Sequence, residues 1–238
     1  MRHFNSLIRA EDLQPGDHVA LLYQTHEERW ALLKTFLRYG LERHEKVLYI
    51  INENTPEAVG EWLQEENVVV QPHLQTGQLS ILTPETTYLN GGTFDPAKMI
   101  TLLTAYTKQA LRAGYSGLRV MGEMGWASKG FPGSRYLIDY EANLNGSLQG
   151  RKCLVLCLYD RRLWSSAVLL YVVETHPIVA AGADLYNNPY YMAPPPFVDH
   201  HQAKTTLEWL LKNMDESKQT EKHFQAGLRN LSLYQRRA

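Results

Sequence analysis

The sequence predicts an α/β protein, a mainly parallel sheet flanked by helices, with a helical extension at the carboxyl end. Three observations carry this expectation. Two apolar runs, Gly117 to Trp126 and Cys153 to Asp160, lack the alternation of a sheet with one wet face, so they read as strands covered on both sides. Strand-like and helix-like segments alternate as far as Ala180, the pattern of a parallel sheet with crossover helices. The 238 residues suffice for one large domain, or for a domain of about 200 residues with a tail.

After a Pro15-Gly16-Asp17 turn, His18 to Tyr23 reads as a strand, followed by a helix from Glu27 to Gly40 with Trp30, Leu33, Leu37 and Leu41 near helical spacing. Lys46 to Asn52 is the next strand. Pro56 opens a helix through Val59, Trp62 and Leu63 that runs out near Asn67. Leu79 to Thr83 is a short strand after the Thr76-Gly77 turn. Pro96, Met99, Leu102, Leu103, Tyr106 and Leu111 make an amphipathic helix ending at Gly114. The Gly117 strand, a helix from Ser134 to Leu148 and the Cys153 strand follow. A helix from Ser165 to Glu174 is stopped by His176-Pro177. Beyond Ala180, Asn187-Asn188-Pro189-Tyr190-Tyr191 and Pro194-Pro195-Pro196 read as loop and linker. Residues 1–198 are thus expected to form the domain and 199–238 a helical extension. Its apolar stripes are Leu207, Leu210, Leu211 and Met214, then Phe224, Leu228 and Leu231.

Composition narrows the class. Lys plus Arg number 24 against 25 Asp plus Glu, so no global charge calls for direct contact with nucleic acid or an anionic membrane. No apolar stretch reaches membrane-span length and Met1 to Ser6 lead into polar sequence, so a cytoplasmic protein is expected. Cys153 and Cys157 on one strand would stand about 13 Å apart, beyond the roughly 7 Å reach of a disulfide. For the same reason they are not expected to share one metal, and a zinc site would need His18 or His176 brought in from elsewhere. No metal and no cofactor is therefore expected.

The segment after the first strand, Gln24-Thr25-His26-Glu27-Glu28-Arg29, has neither the glycines nor the lysine of a phosphate-binding loop, and no Gly-x-Gly-x-x-Gly is present. ATP hydrolysis is not expected. Ligands of such folds bind beyond the carboxyl ends of the strands, which singles out Glu123, Trp126, Tyr159 and Asp160, with Tyr23 at the end of the first strand. Substitution of Trp126 or Asp160 there is expected to spare the fold. Glu123 and Asp160 are either a functional carboxylate pair or partners of Arg119, Arg161 or Arg162 in structural bridges. Tyr140 and Glu141 on a helix, His18 at a strand start, His176 in a helix's last turn and the Tyr186, Tyr190, Tyr191 cluster are open to both ligand contact and plain packing.

Taken in order, several short motifs resemble one family. They are His18 with its strand, Gly40-Leu41 before Glu45, Gly77-Gln78-Leu79, Phe94-Asp95-Pro96, Arg119 to Trp126, Tyr140-Glu141, Cys157-Leu-Tyr159-Asp160, Thr175-His176-Pro177 and Asn188-Pro189-Tyr190-Tyr191. Over residues 15 to 195 the chain resembles the MEDS domain, the sensory domain of methanogens, methylotrophs and the dichloromethane-responsive regulator. The resemblance implies a RecA/KaiC-like fold without a phosphate loop and a prokaryotic signal-transduction input sensing simple hydrocarbon derivatives. Members often carry His-x-Cys where this chain has His18-Val19-Ala20. The site expected on this basis gathers His18, Tyr23, Glu123, Trp126, Tyr140, Glu141, Cys157, Tyr159, Asp160, His176, Asn188 and Tyr190 around a small organic ligand. The output expected is a histidine kinase or transcription-regulator partner, with a homodimer formed through the tail. The competing readings are an enzyme using Glu123 or Asp160 as acid or base, and a degenerate ATPase fold serving as an interaction scaffold.

Overall fold

A computed structural model describes residues 7–52, 55–65, 68–182, 184–192 and 211. Among them eight strands form one sheet: β1 (Leu7–Ile8), β2 (His18–Tyr23), β3 (Lys46–Ile50), β4 (Leu79–Leu82), β5 (Leu118–Glu123), β6 (Cys153–Asp160), β7 (Ile178–Ala181) and β8 (Asp184–Asn187). Their spatial order is β1-β8-β7-β2-β6-β5-β3-β4. From β7 to β4 the pairings are parallel, whereas β8 pairs antiparallel with β7 and β1 antiparallel with β8. The helices are α1 (His26–Glu42), α2 (Pro56–Glu65), α3 (Gln71–Gln75), α4 (Pro96–Arg112), α5 (Leu137–Leu148) and α6 (Ser166–Thr175).

Every residue of β2, β5 and β6 is buried, as continuous apolar runs require. Successive side chains still point to opposite faces. Val19 and Leu21 join Leu154, Leu156 and Leu158 in a core shared with Trp30, Leu33, Phe36 and Leu37 of α1. Ala20 and Leu22 join Val155, Cys157 and Tyr159 in a second core, with residues of α4, α5 and α6. Crossover handedness explains the division. The steps β2 to β3 to β4 run one way along the sheet and those from β4 through β5 and β6 to β7 run the other. Right-handed connections therefore put α1 and α2 on one face and α4, α5 and α6 on the opposite one.

Local chemistry fixes the helix starts: Thr25 accepts from Glu28 N at α1, Asp95 from Ala97 N and Lys98 N at α4, and Ser165 from Val168 N at α6. The strand expected to reach Asn52 stops at Ile50, and the run expected to Trp126 divides into β5 and a 3-10 segment, Met124–Lys129. The helix expected from Ser134 begins at Leu137, after a 3-10 turn. The segment expected as loop beyond Ala180 contains the end of β7 and all of β8, and β1 is a further addition. These strands are two to four residues long. That is too short for periodicity to register, and cross-strand pairing rather than propensity holds them. The expected domain boundary at 198/199 and most of the expected tail helices lie outside the described residues. Leu211 alone of that tail is described, as helical and packed against the core on the α5–α6 face. No helix among the described residues is long and apolar enough to cross a membrane.

Candidate functional site

Two groups of buried polar side chains, one on each face of the sheet, contain most of the residues expected at the site. On the α1 face, Glu123 ends β5 and meets Arg29 from the second turn of α1. Arg29 Nη2 donates to Glu123 Oε1 and, at 2.6 Å, to the Tyr49 hydroxyl, which itself donates to Glu123 Oε1 at 2.6 Å. The backbone N–H of Asn52 donates to Glu123 Oε2 at 2.9 Å. Burial works against the Arg29 charge, but Tyr49 and Glu123 hold its pKa above the ordinary value. Asp160, at the end of β6 and in register with Tyr23, forms a bidentate pair with Arg162, whose Nε donates to Oδ1 at 2.9 Å and Nη2 to Oδ2 at 2.5 Å; Arg162 is one of the bridge partners open from the sequence. Burial pushes the Asp160 carboxyl up, yet the bonds and charge of Arg162 hold it below the usual carboxylate range.

On the opposite face the structure brings together His18, Glu141, Cys157, Tyr159 and His176, none more than 1 % exposed. They arrive from four elements. His18 opens β2, Cys157 and Tyr159 lie on the same side of β6, Glu141 is on α5, and His176 follows α6 before Pro177 turns the chain into β7. Glu141 Oε2 lies 3.1 Å from His18 Nε2, 3.5 Å from Cys157 Sγ and 3.6 Å from His176 Nε2. Cys157 Sγ is 3.5 Å from His18 Nε2, and one ligand atom from each of the four side chains falls within 4.8 Å of all the others. Tyr159 donates its hydroxyl to Glu141 Oε1. Burial would raise the Glu141 carboxyl, but His18, His176 and Tyr159 keep it below its usual range. Burial, reinforced by Glu141, pushes the Cys157 thiol well up. Burial, aided by the His18 charge, lowers His176 to about 3, so its ring is neutral.

An aromatic wall adjoins this cluster. Trp126 stacks on Tyr88 with ring centroids 5.0 Å apart, and Phe94 and Tyr140 complete the group. Gly122 makes room for Tyr88: a Cβ at Gly122 would overlap the Tyr88 hydroxyl. Gly122 is in register with Cys157, so that hydroxyl sits one strand from the thiol. Trp126 is fully buried and its Nε1–H has no hydrogen-bond partner. Tyr88 also lines a surface depression of about 320 Å3 with Thr87, Asp95, Lys98 and Leu102.

The twelve residues singled out from sequence thus fall into three groups. Tyr23, Glu123 and Asp160 belong to the strand ends of the α1 face. His18, Tyr140, Glu141, Cys157, Tyr159, His176 and Trp126 belong to the opposite interior. Asn188 and Tyr190 lie at its margin: Asn188 Nδ2 donates to Val173 O and His176 O, and its Oδ1 accepts from Tyr190 N. Asn188 thereby holds the backbone that carries His176. Trp126 is a core residue rather than a strand-end residue, which overturns the expectation that its replacement spares the fold. Sequence reading passes over Arg29, Tyr49, Tyr88 and Asn145. Phe94 stands in a family motif without being singled out for the site, and the helical spacing of Glu141 and Asn145 was the available signal for the latter.

The strand order and the two-faced helix layers define an α/β protein with a mainly parallel sheet, and the solved structures it resembles have RecA/KaiC-like folds. The sequence model of the MEDS family, described as the methanogen/methylotroph, DcmR sensory domain, matches residues 17–177, and the chain belongs to that family. Among solved structures it is similar to the flagellar accessory protein FlaH from Methanocaldococcus jannaschii, at 13 % identity and a TM-score of 0.53, over 78 % of this chain and 84 % of that one. It is also similar to the KaiC-like protein PH0186 from Pyrococcus horikoshii, at 13 % identity and a TM-score of 0.48, over 69 % of this chain and 70 % of that one. No curated protein matches the sequence.

Proposed function

We propose that the chain is a sensory input module that binds a small organic molecule of the hydrocarbon-derivative class in the interior between the sheet and the α5–α6 layer. Family membership supports a signal-transduction sensor. The position where a nucleotide's phosphates would meet α1 is taken by the chain's own groups. Thr25 caps the helix, Gln24 N donates to Glu28 Oε2 at 2.7 Å, and Glu27 and Glu28 make the first turn acidic. A polyphosphate would meet carboxylates there instead of free amides.

The observation that carries the reading is Trp126. A fully buried indole N–H without an acceptor costs stability and calls for a partner, and it stands in an aromatic wall of Tyr88, Phe94 and Tyr140. Such a wall suits a small apolar body, and the N–H suits one acceptor atom on it. Leu211 packs against the same core, which supports an output through the segment after residue 192 to a histidine-kinase or transcription-regulator partner, or to a second copy. Ligand binding then acts through its different affinity for two states of the module.

The experiment is a thermal-shift series with one- and two-carbon halides, alcohols and amines on the wild type and on Trp126→Phe, which keeps a ring and removes the donor. A compound that raises the wild-type melting temperature and does so less in Trp126→Phe is the expected result. No shift from any compound, or an equal shift in both proteins, sinks the reading. Calorimetry with ATP should register no binding, and micromolar affinity would restore the ATPase alternative.

A further inference from the structure

His18, Glu141, Cys157 and His176 pose a problem of protons that their geometry helps to solve. Asn145 Nδ2 donates to Thr175 O at 2.7 Å, which fixes its amide so that Oδ1 accepts from His18 Nδ1 at 3.0 Å. His176 Nδ1 lies 2.7 Å from the carbonyl of Val172, and a carbonyl only accepts, so Nδ1 carries the proton. Both imidazoles are therefore anchored through Nδ1–H, and both direct Nε2 at the Glu141 carboxylate. Anchoring one ring nitrogen to an acceptor while the other faces a carboxylate and a thiol is the arrangement found around metal-bound histidines. A proton shared between His18 Nε2 and Glu141 Oε2 would reconcile that pair at 3.1 Å. It would leave His176 Nε2, which has no hydrogen-bond partner, facing an acceptor.

We propose that these four side chains form a tetrahedral site for one divalent transition-metal ion of the zinc class, bound through His18 Nε2, Glu141 Oε2, Cys157 Sγ and His176 Nε2. With ordinary zinc bond lengths, a tetrahedron has edges of about 3.3 Å between nitrogen and oxygen and about 3.5 Å where sulfur is a corner. Four of the six separations, 3.1, 3.5, 3.5 and 3.6 Å, match those edges, and the other two, both made by His176 Nε2, fall within 4.8 Å and would shorten as the ion draws that ring in. Charge agrees as well. A thiolate and a carboxylate together carry minus two, so a divalent ion leaves this fully buried site neutral. As the metal bonds form, the thiol proton and the proton shared by His18 and Glu141 leave for solvent. Nitrogen and sulfur donors favour zinc over magnesium or calcium. The ion ties β2, β6, α5 and the α6–β7 junction together.

The test uses the full chain as purified. Elemental analysis should find one zinc per chain. After chelation, cobalt(II) should give ligand-field bands of tetrahedral intensity together with a thiolate charge-transfer band. Cys153→Ser, which alters the other cysteine, should keep that band, and Cys157→Ser should lose it. Asn145→Ala touches no ion but frees the His18 ring, and should weaken zinc binding about 10- to 100-fold. This positioning variant, with the wild-type metal content, decides the matter even if Cys157→Ser does not fold. Protein that purifies without metal and gives only octahedral cobalt spectra overturns the proposal, as does a charge-transfer band that survives in Cys157→Ser. A metal-free chain that still shows the Trp126-dependent thermal shift overturns this site and leaves the sensory reading standing. A zinc-bound chain with no such shift does the reverse.

Discussion

The two polar interiors lie on opposite faces of one sheet and are built on opposite rules. On the α1 face donors meet acceptors: Arg29 and Tyr49 reach Glu123 Oε1, the Asn52 amide reaches Oε2, and Arg29 Nε alone of these groups is left without a partner. On the α5–α6 face one acceptor is left facing another: His18 Nε2 and Glu141 Oε2 can share a proton at 3.1 Å, and His176, anchored through Nδ1–H, then presents a bare Nε2 to the same carboxylate. The first arrangement pairs both oxygens of its carboxylate and holds α1 to β3 and β5. The second needs a positive centre. Among the described residues the strand-end carboxylates Glu123 and Asp160 already have partners within the chain, whereas the histidine, carboxylate and thiol group lies at the start of β2, within β6, on α5 and after α6.

The largest expected effects test that contrast directly. Glu123→Ala leaves the Arg29 guanidinium buried without its carboxylate and should cost about 3–5 kcal/mol, measured by urea unfolding. The double variant Arg29→Met/Glu123→Leu should recover most of the loss. The Glu123→Ala cost should be the same with and without a chelator, whereas the cost of Cys157→Ser should appear only in metal-loaded protein. Equal chelator dependence on both faces would erase the distinction. Trp126→Ala, in the fully buried wall, should also cost about 3–5 kcal/mol.

A smaller effect is expected at the seam between wall and cluster. Gly122→Ala drives a methyl group into the Tyr88 hydroxyl and should cost about 1–3 kcal/mol. Tyr88→Phe in the same protein removes the atom that is struck and should return part of the loss. A cost that Tyr88→Phe does not change would mean that this hydroxyl does not sit over Gly122, and would detach the wall from the cluster.

The sheet's parallel centre was legible because β2, β5 and β6 are unbroken apolar runs, and the helices because their starts carry Thr25, Asp95-Pro96 and Ser165. Five cluster residues, His18, Glu141, Cys157, Tyr159 and His176, were also nameable in advance, but not as one group. Their separations in sequence reach 158 positions between His18 and His176, and only the fold joins them. Other residues of the family motifs prove to be architecture. Gly40 lies against Arg119, which pairs with Glu45 at 2.5 Å, and Gln78 donates to the carbonyls of Leu41 and Glu45. A motif marks that a residue is constrained. It does not say whether by packing or by chemistry.

The smallest expected effect concerns Asp160, the strand-end residue whose partner Arg162 is largely exposed, with 63 % of its side chain accessible. A pair of that kind contributes under about 1 kcal/mol, so Asp160→Asn should lower stability only slightly at neutral pH. The sign with pH follows from the lowered carboxyl. The unfolded chain takes up the proton first, near the ordinary value of 3.8, so the contribution is full above that value and fades as pH falls through the lower value of the folded state. Wild type and Asp160→Asn should therefore converge in acid, and high salt should narrow their difference at neutral pH. Urea midpoints at neutral and acidic pH, with and without salt, measure this. A cost above about 2 kcal/mol that persists in salt would exceed what an exposed pair supplies. It would give the buried Asp160 carboxyl a role beyond its pair with Arg162 and return the strand ends to the candidate site.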